Sequence, residues 1–218
     1  MKKILLAGAV ALFGLSNAQI AKGTTYLSGS VGYSQEETNN GNIKKENFNV
    51  LPTVGYFVNT NLAIGLGVGY QTEKNTVTTT ATLPNTTIVN DKVTKTPAFV
   101  VAPFVRKYWT LSDKLYFFGQ LAVPMQFGKT ETEDNTVTTT GNTVVTNSTS
   151  TEAKYTKIGV TVKPGLDYFL NKNWSIEATI GEFGYSNYKP KDGDATNNYN
   201  FGLNLSSVTF GVKYVFAK

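Results

Sequence analysis

Leu62-Ala-Ile-Gly-Leu-Gly-Val-Gly-Tyr-Gln71 is the stretch whose reading decides the architecture. Leu62, Ile64, Leu66, Val68 and Tyr70 are bulky and apolar, while Ala63, Gly65, Gly67, Gly69 and Gln71 between them are small or polar. A period of two sustained over that distance is a strand with one greasy face. Just before it lies Pro52-Thr-Val-Gly-Tyr-Phe-Val-Asn59, joined to it by the turn Asn59-Thr60-Asn61. The same phrase returns as Pro103-Phe-Val-Arg-Lys-Tyr-Trp-Thr110 and as Pro164-Gly-Leu-Asp-Tyr-Phe-Leu-Asn171, each before a short connection and another strand. Repeated hairpins of one orientation, separated by long polar loops on the other side, describe an up-and-down barrel.

Working outward, the alternation predicts eight strands, at about residues 24–35, 48–58, 62–71, 96–109, 115–127, 155–170, 174–185 and 200–216. Four long polar segments (36–47, 72–95, 130–152 and 186–199) read as loops. The even strand number puts both termini on the short-turn side. Phase breaks near Ser206-Ser207 and around Glu182 predict bulges. A closed sheet needs its backbone N–H groups, so Pro52, Pro103, Pro124 and Pro164 are expected at bulges or irregular pairings.

The segment 1–18 has the form of a secretory signal: Lys2 and Lys3, an apolar run 4–15, then Ser16-Asn17-Ala18 before Gln19. The apolar run is too short for a spanning helix, which needs about 20 residues. The expected division is a signal at 1–18 and one barrel domain at 19–218. Setting aside Lys2 and Lys3 reduces the 20 basic residues to 18, against 15 acidic, too even a balance for a nucleic-acid partner. After residue 18 no apolar run is long enough for a membrane helix, so crossing a bilayer requires a closed barrel.

Two sidedness assignments compete. In a soluble, lipocalin-like ligand-binding barrel the greasy face lines a cavity, which leaves an outer surface unusually poor in charge. In a membrane barrel the greasy face meets lipid, and the small face fills an interior barely wide enough for side chains at eight strands. The second assignment also accounts for aromatics at both strand ends. Tyr56, Trp109, Tyr168, Trp174 and Tyr214 lie near the short turns; Tyr33, Tyr70 and Tyr155 lie near the long loops, as an interfacial girdle requires. On this reading Arg106, Lys163, Asp167, Glu177 and Lys213 point into the lumen, where buried charges must pair. An ion-pair plug and a path for small ions are the two readings of that cluster.

Zero histidine and zero cysteine rule out Ser–His and Cys–His nucleophiles, histidine-ligated metal and disulfides. No catalytic residue, metal or cofactor is expected. A loop repeat remains: Asn75-Thr-Val-Thr-Thr-Thr80 recurs as Asn135-Thr-Val-Thr-Thr-Thr140. It reads either as a solvated loop or as an extended edge for strand addition to another protein.

The proline hairpins, the Ala-Gln junction at 18–19 and a final strand reaching Phe216 resemble the outer-membrane β-barrel domain family. The resemblance covers 19–218 and lies in strand pattern rather than in a chemical motif. It implies an eight-stranded barrel in the bacterial outer membrane, contacting membrane lipids including the outer leaflet, and monomeric. It further implies recognition of Phe216 by the barrel-insertion machinery, although Ala217 and Lys218 follow it. Roles in envelope integrity or in binding a surface protein or host ligand through the loops are implied, with no catalysed reaction. A small ion channel or transporter is the alternative within that fold.

Overall fold

The computed structural model describes residues 19–202 and 208–216. The expected signal, the expected bulge at Ser206-Ser207 and the terminal Ala217-Lys218 lie outside the described residues. Among the described residues twelve antiparallel strands are present: β1 (Thr25–Thr38), β2 (Ile43–Asn59), β3 (Leu62–Leu83), β4 (Thr86–Lys95), β5 (Ala98–Thr110), β6 (Leu115–Ala122), β7 (Met125–Thr140), β8 (Thr143–Phe169), β9 (Trp174–Ile180), β10 (Glu182–Pro190), β11 (Thr196–Gly202) and β12 (Val208–Phe216).

Where the sequence predicts eight strands, twelve separate segments are found among the described residues, for two physical reasons. Most of the segments read as loops are strand: β3 runs on to Leu83, β4 occupies Thr86–Lys95, and β7 and β8 continue to Thr140 and from Thr143. Their Thr, Val and Ile content favours extended backbone, and polar side chains do not prevent it where both faces meet water. In addition, the wall is interrupted between β4 and β5, β6 and β7, and β9 and β10.

The ladders close on themselves. At the short-turn end, β1 pairs β2, then β3, β5, β6, β8, β9 and β12 follow in order, and β12 pairs β1 again. Toward the long hairpins the neighbours become β1, β2, β3, β4, β7, β8, β10 and β11. The two Asn-Thr-Val-Thr-Thr-Thr copies lie on either side of β4, with Thr78 and Asn135 both opposite Asp91.

Pro52, Pro103, Pro124 and Pro164 each fall beside a break in a ladder. Val50 pairs Tyr70 and Thr53 pairs Gly67, but Leu51 and Pro52 are skipped on that side. On the β6–β7 side of β5, Val101 pairs Met125 and Phe104 pairs Ala122, so Ala102-Pro103 faces Val123-Pro124 across the interruption. Pro164 lies where β8 changes partner from β9, ending at Gly165–Thr179, to β10, starting at Val162–Phe183. One extra residue is accommodated there, and Gly181 takes a φ of 74°. That is the bulge expected next to Glu182, made by a glycine because the left-handed region is costly for other residues.

Alternation sets the two faces of the wall. Leu66, Val105, Val160, Val162 and Val212 are exposed, whereas Tyr26, Phe57, Ala63, Phe104, Tyr108 and Phe118 are buried. The bulky set therefore faces out and aromatic rings fill the centre, the reverse of a lipocalin-like cavity. Small wall residues make this packing possible: a Cβ on Gly65 would overlap the ring of Phe104, and one on Gly165 the ring of Phe118.

Candidate functional site

The lumen charges converge because three strands present inward positions at one height. Arg106 on β5, Asp167 on β8 and Glu177 on β9 belong to the same side-chain phase as the buried rings, and Lys213 arrives from β12. Register brings Asp167 opposite Glu177 on adjacent strands. Two carboxylates side by side repel each other, and two cations resolve that repulsion, Arg106 from β5 and Lys213 from β12, the strand next to β9. Arg106 Nη1 donates to Glu177 Oε1 at 2.5 Å, Lys213 Nζ pairs with Asp167 Oδ2, and Lys213 Nζ lies 3.4 Å from Glu177 Oε1.

Neutral neighbours complete the set. Arg106 Nε donates to Gln120 Oε1 at 2.9 Å, and Arg106 Nη1 donates to the Tyr108 hydroxyl at 3.1 Å. Lys213 Nζ approaches the same hydroxyl at 3.4 Å. The guanidinium carbon lies 4.3 Å from the Phe118 ring centre, and Lys213 Nζ lies 4.9 Å from those of Tyr108 and Phe169. Low dielectric strengthens both the attractions and the penalty for any member left alone.

On the short-turn side the charges rest on a chain of rings. Tyr26, Phe57, Tyr108 and Tyr116 follow one another at centroid separations of 5.7, 5.4 and 6.3 Å, and Tyr116 meets Phe169 at 5.3 Å. Ile20 is buried in the same cluster, and its N–H donates to Asn61 Oδ1 at 2.8 Å. On the long-hairpin side lies a cavity of about 330 Å³ with a mixed lining, bounded in part by Ser28, Ser30, Val100, Arg106, Gln120 and Glu177.

Of the five lumen candidates, Arg106, Asp167, Glu177 and Lys213 stand together. Lys163 does not join them: it is half-buried higher up and pairs with Glu182 at 2.6 Å. Tyr108, which touches both cations, was missed by sequence reasoning. Its inward phase two residues after Arg106 was the available signal. Ile20 gave no such signal, because it precedes the first strand.

Among the girdle residues, Tyr33, Tyr56, Tyr70, Trp109, Tyr168 and Trp174 are exposed on the outer face. Tyr214 is half-buried, with its ring centre 4.9 Å from that of Trp174. Tyr155 is corrected: it is buried on the inner face, in phase opposition to Ile158 and Val160, with its ring centre 4.8 Å from that of Tyr188. The aromatic type was right for a girdle but its parity was not. Phe216 is half exposed, opposite Thr25 on β1.

This geometry holds charges in mutual contact within a wall that is apolar outside, and the sequence agrees with it. Residues 5–216 match the family described as outer membrane protein beta-barrel domain. The chain belongs to the outer membrane protein β-barrel domain family. Its place as an outer-membrane barrel protein follows from that match. No curated protein sequence matches the chain. Among solved structures, the N-terminal β-barrel domain of Pseudomonas aeruginosa OprF is similar at 8% identity and a TM-score of 0.41, covering 90% of this chain and 100% of that one. The attachment invasion locus protein Ail of Yersinia pestis, solved with the heparin analogue sucrose octasulfate, is similar at 14% identity and a TM-score of 0.37, covering 89% and 99%. These distant likenesses add nothing to the family match.

Above the wall this barrel protein carries a projecting sheet built from the outer parts of β2, β3, β4, β7 and β8. It is tied by cross-strand polar contacts, including Lys74 with Glu46 at 3.1 Å and Asn90 Nδ2 with Thr136 Oγ1 at 2.8 Å. The hydrogen bond from Lys74 holds the Glu46 carboxyl below its usual range, with Lys44 adding to the effect. On β8, residues 143–154 pair β7 on one side and, among the described residues, no strand on the other.

Proposed function

We propose that the twelve strand segments act as eight staves of one transmembrane barrel, exported by the 1–18 signal, and that the protein catalyses no reaction. Its role is structural, anchoring a projecting sheet at the cell surface where residues 143–154 of β8 can receive a strand from another polypeptide. The observation that carries the closed, structural part is the buried set Arg106, Glu177, Lys213 and Asp167 stacked on the ring chain from Tyr26 to Phe169. Charges satisfied by one another and seated on packed aromatics make a seal, since ion passage requires sites that release what they bind.

Planar-bilayer recording on the purified, refolded protein tests this reading. The expected trace is flat, with conductance appearing only when the cluster is broken, as in Glu177→Ala. The second reading, a small ion channel, is favoured by the cavity that reaches Arg106 and Glu177 from the long-hairpin side. A steady open level in the unaltered protein, lost on Arg106→Ala, would decide for it. Pull-down with an edge-blocked variant carrying Val144→Pro tests the surface role, because the even-numbered residues of this segment turn their backbone away from β7 and proline removes the donor there. Binding of a partner that survives this change would contradict the strand-addition part.

A further inference from the structure

Lys107 breaks the pattern of the outer wall. It stands four residues after Pro103, where the other proline repeats place Tyr56 after Pro52 and Tyr168 after Pro164. It is exposed, in phase with Val105 and Trp109 on β5, and lies opposite Leu62 on β3 and Gly119 on β6. Between the aromatic rings at the two ends of the wall, it is the one charged residue among the described outward positions. Among the described residues no carboxylate pairs with it.

Depth decides what this charge meets. On β5 the long-hairpin ring is marked by Phe99, which pairs Tyr70 and Phe127, and the short-turn ring by Trp109. At a rise of about 3.3 Å per residue and a tilt of about 40°, the two levels are roughly 25 Å apart, the height of the apolar band. Lys107 starts about 5 Å inside the Trp109 level. Its stem therefore lies against the wall and its ammonium returns to the head-group layer.

The surroundings suit an amphipath. Trp109 packs on Phe117 with ring centres 5.5 Å apart, and its indole leans over Gly119, where an added Cβ would lie 3.4 Å from it. Gly119 is the direct cross-strand neighbour of Lys107, so the indole is held beside the lysine. Above them an apolar furrow of about 720 Å³ opens on the wall, lined in part by Tyr56, Ile64, Leu66, Pro103, Val105 and Leu121.

We propose that Lys107, Trp109 and this furrow hold one anionic glycerophospholipid of the leaflet on the short-turn side, its phosphate on Lys107 and an acyl chain in the furrow. Hydrocarbon supplies no counter-charge, so the anion comes from a head group, and a lysine at a membrane surface draws anionic lipid. A zwitterionic head is disfavoured because the described outward positions of the wall carry no carboxylate to receive its cation. Close contact with the furrow holds the chain. The site rests on the transmembrane reading of the barrel.

Trp109 and Trp174 are the two tryptophans of the chain, and Trp174 lies on the same girdle against Tyr214. Trp174→Phe leaves Trp109 as the reporter, and Trp109→Phe leaves Trp174. Both variants, as full-length protein refolded into phosphatidylcholine vesicles and checked by heat-dependent gel mobility, are titrated with phosphatidylglycerol or phosphatidylcholine carrying brominated acyl chains, which quench on contact. Trp109 reports phosphatidylglycerol enriched at least threefold over its bulk fraction and no enrichment of phosphatidylcholine, while Trp174 reports the bulk fraction of each. Lys107→Gln returns Trp109 to the bulk value, Lys107→Arg keeps the enrichment, and Val105→Phe, which fills the furrow, lowers it. Equal quenching of Trp109 by the two lipids, or enrichment that survives Lys107→Gln, overturns the site. The same enrichment at Trp174 makes it a property of the whole girdle and overturns the site as well. Enrichment undiminished in Val105→Phe overturns the acyl-chain part. Quenching of neither tryptophan by either lipid overturns the transmembrane reading itself. Lys107→Met takes the place of Lys107→Gln if that variant fails to fold.

Discussion

Asp167 and Glu177 face each other across adjacent strands, and each depends on a cation delivered from elsewhere in the chain. Removing one partner strands a charge in a desolvated centre. Lys213→Met should therefore destabilise the protein by about 3–5 kcal/mol, measured by urea unfolding in lipid vesicles. Adding Asp167→Asn should recover most of that loss, because a neutral pair of similar volume carries no uncompensated charge. If the double variant is less stable than the single, the pair is held by packing rather than by charge balance. A glycine makes the same point sterically: Gly165→Ala forces the Phe118 ring or the Ala178 carbonyl aside and should cost about 1–3 kcal/mol. Sequence parity was enough to find Arg106, Asp167, Glu177 and Lys213, since a period of two fixes a face. It could not say that Lys163 would be drawn off to Glu182, because that depends on where β8 exchanges β9 for β10.

Strand elements were legible where one face was greasy and illegible where both were polar. Residues 62–71 declared themselves; residues 72–83, equally extended, did not, because neither face is apolar and periodicity carries no signal. Tyr155 was misassigned because an aromatic near a strand end fits both an outer girdle and an inner plug, and only register decides. The interruptions at Pro124 and Gly181 were partly readable, from a proline that cannot donate and from a phase break, whereas the one at Pro97 fell within a segment read as strand. In the projecting sheet, the contact from Lys74 predicts that Glu46 titrates below the ordinary glutamate range near 4.3. A depressed folded-state value means that its contribution is present above the unfolded pKa and fades as pH falls through the lower folded one. Carbon-detected NMR titration should show this, with Lys74→Gln moving the midpoint back up; an unchanged midpoint would remove the pair as its cause.

For the whole molecule, everything turns on which face meets lipid. Aromatic rings packed in the centre and a greasy exterior agree with a barrel of the outer-membrane family. Site-directed cysteines treated with a membrane-partitioning thiol reagent read that sidedness directly. The account predicts fast reaction at Leu66→Cys, Val123→Cys and Val212→Cys in vesicles, and slow or absent reaction at Thr161→Cys and Ser175→Cys. Fast reaction at the second pair with silence at the first three would invert the wall and contradict the membrane barrel itself.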